Sequence, residues 1–148
     1  SEDAARVAWL KLEDEDGPRA RALQRFIKVN DLLDSNVTGA MNSNIAFYRG
    51  LMAAAPADMA MTEDDILSSV SDQQAQIAAD TADWLYPYLT LAYQPLSDAD
   101  LQAYIAFSKT PAGQRVNAAM FQAYDALFDE ISHDLGRAFG LALQGDDI

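Results

Sequence analysis

The sequence predicts an all-α protein, a single-domain bundle of about six helices with a long C-terminal helix. Three observations lead there. Apolar residues recur at gaps of three and four along most of the chain, and no segment alternates with the two-residue period of a strand. Half of the residues are hydrophobic, while only 7 Gly and 5 Pro are spread over 148 positions, which leaves enough apolar surface for a core. Thr62 and Ser97 each stand directly before an acidic first turn, the mark of a capped helix start.

Taken in order, Ala4 to Leu12 reads as a short helix anchored by Val7, Trp9 and Leu10. The run Glu13-Asp14-Glu15-Asp16 and then Gly17-Pro18 ends it, so residues 1–18 form an N-terminal helix and an acidic linker. The alternating ligand spacing of a calcium loop is absent from that run. Arg19 to Asp34 is a second helix with Leu23, Phe26, Ile27, Asn30 and Leu33 on its core face and Arg21, Arg25 and Lys28 on another. Val37 to Ala53 is a third, capped by Ser35 or Asn36. In it Gly39 and Gly50 weaken the helix but let a neighbour approach closely. Thr62 starts a fourth with a short capping box to Asp65, and its apolar face runs Ile66, Val70, Gln73, Ile77, Thr81, Trp84, Tyr88 and Leu91. Pro87 either kinks this helix or opens a new one, and Pro95 ends the segment.

Ser97 caps the fifth helix, which turns Leu101, Tyr104, Ile105 and Ser108 inward. Thr110 caps the sixth, with Pro111 at the first position, where a missing N–H costs nothing. Val116, Met120, Ala123, Tyr124, Leu127, Ile131, Leu135, Ala138, Phe139 and Ala142 mark one continuous stripe on it, expected to be buried. Asp146-Asp147-Ile148 reads as a frayed tail.

The stretch Leu96-Ser97-Asp98-Ala99-Asp100-Leu101, followed by Phe107, Thr110, Pro111, Gly113 and Gln114, resembles the bacterial family catalogued as domain of unknown function 2059. The match covers roughly Leu96 to Met120 and departs at Ser108, where the family commonly has Tyr. It makes residues 96–143 a family-like helical hairpin. The resemblance implies an all-helical, exported, often periplasmic bacterial protein. It carries over no activity and no catalytic residue.

A net charge of −13, from 23 acids against 10 Lys and Arg, argues against nucleic acid and anionic membrane surfaces as partners. No stretch is apolar for long enough to insert in a bilayer. No signal peptide is visible, and the chain opens at Ser1 rather than Met, as a processed or trimmed form would. With no cysteine there is no disulfide framework, thiolate nucleophile or cysteine-ligated metal.

Chemistry-bearing patterns are sparse. His133 is the single histidine; Glu130 and His133 have the spacing of a carboxylate-bridged di-iron site, but the second histidine that such a site needs is missing. No nucleophile elbow or phosphate-binding glycine loop occurs. Asp80 and Asp83 before Trp84 pair carboxylates with an aromatic, as sugar-cleaving enzymes do, although acids at that spacing commonly just face solvent. Two ligand sites are nominated. At the corner, the helix start at Thr110 and Gly113, flanked by Lys109 and Arg115, suits a small anion. Around Pro87, Trp84 and Tyr88 with Tyr104 suit a pocket between helices. The reading that follows is a non-catalytic module that binds a protein partner or a second copy of itself as a homodimer. Second comes a carrier or sensor of a small apolar or anionic ligand; last, a hydrolase or metalloenzyme. No cofactor or metal is called for.

Overall fold

The computed structural model describes residues 2–145, so the predicted tail at Asp146-Asp147-Ile148 lies outside the described residues. Among those residues the chain is all-α: α1 (Glu2–Glu15), α2 (Pro18–Val29), α3 (Leu32–Ala54), α4 (Glu63–Asp72), α5 (Gln74–Ala92), α6 (Asp98–Ser108) and α7 (Pro111–Gly145), with a 3-10 turn at Ala57–Met59. The extra helix over the expected six arises at Gln73, where the predicted fourth helix divides into α4 and α5. α5 then continues through Pro87 without a break. Two of the predicted caps form as expected: Thr62 and Asp65 make a reciprocal capping box, and Ser97 Oγ accepts from the Asp100 amide at 3.1 Å. Ser35 and Asn36, expected to cap the third helix, lie inside α3 instead.

Two boundaries move for identifiable reasons. α1 continues through the acidic run to Glu15 and stops only at Asp16, which adopts a left-handed φ of 42°. Of its three predicted anchors Trp9 alone is buried; Val7 and Leu10 are exposed, and Ala5 is the second buried position. The predicted second helix breaks at Asn30-Asp31, where Asp31 has φ 51°, so α3 begins at Leu32 rather than Val37. Asn30 is the cause. It is buried, its Nδ2 donates to the Phe26 carbonyl at 3.0 Å and to Ser108 Oγ at 3.1 Å, and its own carbonyl accepts from Asn117 Nδ2 at 2.8 Å. These bonds anchor Asn30 as the C-cap of α2, and the left-handed Asp31 then turns the chain into α3.

The contacts gather into two compact units, one formed by Ser1–Asn36 with Ala78–Ala119, the other by Val37–Ile77 with Met120–Ile148. The first unit holds an apolar core of Trp9, Leu23, Phe26, Ile27, Leu85, Leu89, Leu101 and Ile105, contributed by α1, α2, α5 and α6. Leu23 and Leu101 are fully buried, each stabilising by roughly 2 kcal/mol. Trp9 stacks on Tyr86 with ring centroids 4.8 Å apart. α5 buries Thr81, Leu85 and Leu89, a run of fours, together with Pro87 and Thr90, while Trp84, Tyr88 and Leu91 turn out to solvent instead of into the core.

The second unit is built on α3 against α7. Its paired positions rise together, Gly39 with Asp125, Ser43 with Asp129, Phe47 with Gly136, Leu51 with Gly140 and Ala54 with Gln144, so the two helices run parallel. The backbones nearly touch. A Cβ on Gly136 would stand 2.0 Å from the Phe47 carbonyl oxygen, and one on Gly50 2.0 Å from the His133 carbonyl oxygen. α7 therefore turns its small and polar side toward α3. Its predicted buried stripe is the correction that follows: Met120, Tyr124, Leu127, Ile131, Leu135 and Phe139 are each about half exposed or more, and so, on the first-unit part of the helix, is Val116.

Gly136→Ala tests the contact. Alanine favours a helix interior by ~1 kcal/mol, but here overpacking against a backbone carbonyl reverses the sign, with an expected net loss of about 2 kcal/mol. Gly145→Ala, with nothing within 4 Å of the added carbon, stays within about 0.5 kcal/mol of the parent in the same urea denaturation.

Candidate functional site

The corner between α6 and α7 is closed by its own residues. Thr110 Oγ1 accepts from the Gly113 amide at 3.0 Å and donates to the Phe107 carbonyl at 2.7 Å. A Cβ on Gly113 would lie 2.2 Å from that same carbonyl oxygen. Glycine is thus required by the chain's own close approach, and the amide nominated for an anion is engaged by Thr110. The Gln114 amide group ties the corner to α2 by donating to the Val29 carbonyl at 3.2 Å. Lys109 and Arg115 flank this corner as exposed side chains.

The three aromatics nominated for a pocket separate into two places. Tyr104 packs on Phe26 (4.9 Å between centroids) and near Tyr93 (6.0 Å), and Phe26 meets Tyr93 edge-on at 5.0 Å. Within this cluster burial, reinforced by the neighbouring Tyr104, pushes the Tyr93 hydroxyl up to about 12. Trp84 and Tyr88, by contrast, meet edge-to-face at 6.2 Å and line a groove of about 690 Å³ between the start of α1 and α5. Four carboxylates line it as well: Glu2 and Asp3 from α1, Asp80 and Asp83 from α5. The Asp80 and Asp83 pair beside Trp84, read in the sequence as solvent-facing, thus stands at the edge of a concave surface. Arg6 is the cation in the lining, 3.8 Å from Asp83, an exposed pair worth ~0–1 kcal/mol.

Glu130 and His133 do not assemble a metal site: among the described residues no three His, Asp or Glu side chains converge to hold an ion. His133 Nδ1 lies 3.7 Å from Asp134, and its backbone carbonyl is the surface on which Gly50 rests. Among the same residues no buried side-chain nitrogen or oxygen lacks a partner.

The largest departure from solvent-compatible surface is the outward face of α7. In the second unit it carries Met120, Tyr124, Leu127, Phe128, Ile131, Leu135, Phe139 and Leu141, 48% to 62% exposed. Tyr124 and Phe128 stack on each other at 6.3 Å. The apolar positions repeat every eleven residues, as in Met120, Ile131 and Ala142, or Tyr124 and Leu135, or Leu127 and Ala138. An eleven-residue period keeps such a stripe on one side of a nearly straight helix. Sequence periodicity finds this face; its exposure follows from Gly136 and Gly140, which claim the opposite side for α3.

No protein-family model, curated protein or solved structure matches the chain. Among the described residues no helix is long and apolar enough to cross a membrane.

Thr110→Ala is expected to cost ~1 kcal/mol in denaturant unfolding, the ordinary loss for a helix cap. The Tyr93 ionisation gives an alkaline signature. Because the folded value, about 12, lies above the ordinary 10.0, its contribution to stability is complete below that ordinary value and is lost as pH rises toward the folded one. Ultraviolet difference absorbance should show a late-titrating tyrosine component that is lost in Tyr93→Phe.

Proposed function

We propose that the chain is a non-catalytic, self-associating module in which the outward face of α7 is covered by a second copy. One observation carries this reading: eight large apolar side chains lie on one face of one helix, each about half exposed. Side chains of this size offer on the order of 200 Å² each, so the face presents roughly 800 Å², the size of one side of a standard specific interface. Isolated monomers rarely expose a contiguous apolar patch of this extent. A single stripe that repeats along its own length is also self-complementary, as a two-fold interface requires.

Charge shapes how such a pair would behave. Each copy carries −13, so like-charge repulsion opposes association at low ionic strength. The stripe itself is apolar, with Glu130, Asp134 and Arg137 as exposed charged side chains on the same section of α7. Added salt screens the repulsion and leaves apolar burial intact, so association should tighten with salt. A contact with a basic partner would weaken instead. On the resemblance of residues 96–120 to an exported family, we propose the periplasm as the setting.

Sedimentation velocity decides the matter. The parent chain should be a dimer that tightens with salt, and the double substitution Leu127→Glu with Ile131→Glu should be a monomer of unchanged helicity, since both sites are exposed. A parent chain still monomeric at about 1 mM, where even ~4 kcal/mol of association would register, overturns the proposal.

A further inference from the structure

The groove between the start of α1 and α5 lies wholly in the first unit and is independent of the α7 face. Its volume, about 690 Å³, is that of a small-molecule site. Two aromatic rings stand in its wall at a steep angle to each other: Trp84 and Tyr88, interplanar angle 70°, both near half exposed or more. The core does not need them, because α5 buries Thr81, Leu85 and Leu89 instead. Two electron-rich rings set at a steep angle in a concave wall can form adjoining sides of a cation site.

The surrounding charge has the same sign. Four carboxylates against the single Arg6 leave the lining strongly negative within a chain that is itself strongly acidic. Arg6 does not neutralise it, since its contact with Asp83 is long and both side chains are mostly in water. Leu91 and Pro87 complete an apolar wall. This chemistry reverses the sign of the ligand that the basic corner suggests. Small anions are repelled here, and an organic cation with an apolar body meets aromatic faces, aliphatic surface and carboxylates together.

We infer that this groove binds a small organic ammonium ion, with the cationic head held by Trp84 and Tyr88 and the carboxylates of Asp80 and Asp83 selecting for charge. Choline is the probe, compared with its uncharged isostere in which tert-butyl replaces trimethylammonium. The readout is the indole N–H resonance of Trp84 in the full chain, with the buried Trp9 as internal reference.

The expected result is a saturable Trp84 shift with choline while Trp9 stays in place. The isostere should bind about tenfold more weakly or not at all. Trp84→Phe would remove the reporter, so the aromatic role is tested by Tyr88→Ala, which should weaken choline binding several-fold. The double substitution Asp80→Asn with Asp83→Asn alters exposed positions on a helix surface. It should bring choline and the isostere to similar affinity. The inference is overturned by the absence of a saturable shift, by equal shifts from the isostere or from sodium chloride, or by a response to a lysine-rich peptide but not to choline.

Discussion

The close contact of α3 and α7 is the constraint on which the second unit depends. Gly50 and Gly136 bring backbone against backbone, and any larger side chain at either position would enter a carbonyl oxygen. Such a contact gains dispersion and excludes water along two helices, but it has no room for the large apolar side chains that usually line a helix seam. Ser43, Asp125 and Asp129 take up the margins, with Ser43 Oγ donating to Asp129 at 3.2 Å. One face of α7 is thereby reserved for small and polar residues. Its large apolar residues lie elsewhere on the helix, about half exposed, with Phe139 at the margin of the contact, 6.4 Å between ring centroids from Phe47.

The first unit solves its packing in the ordinary way, with leucines and aromatics from four helices, and its polar devices serve that core. Asn30 breaks the chain between α2 and α3 and ties it to Ser108 and Asn117. Thr110, Gly113 and Gln114 turn α6 into α7 at a carbonyl-to-glycine contact. The motif that stands out most in the sequence is therefore a corner, with its hydrogen-bonding capacity spent inside the chain. The surfaces left over for recognition are the ones that the core did not use: the outward side of α7, and the outward aromatics of α5 beside the acids of α1.

Those two surfaces suit different partners because they differ in polarity. The α7 face is broad and apolar, which suits an equally apolar surface, such as the second copy proposed above. The α1–α5 groove is small, aromatic and acid-lined, and a compact cation has the charge and size for it.

Local chemistry was legible in the sequence. Periodicity alone shows that the chain is all-helical and that its last helix is long, because both are written in residues three and four apart. Thr62, Ser97 and Thr110 announce helix starts because a cap acts over only three residues. Asn30-Asp31 offers a turn-forming pair that a closer reading of the second helix could have used, whereas Gln73 carries no comparable signal. What the tertiary structure alone decided was which face of each helix is covered. An apolar stripe records where apolar side chains lie, not whether their partner belongs to the same chain. Gly136 and Gly140 reverse the inward side of α7 by permitting a contact that no side chain could make, and burial of Leu85 and Leu89 rotates Trp84 and Tyr88 into the groove wall. Both outcomes depend on residues far apart in sequence, so neither helix pattern could contain them.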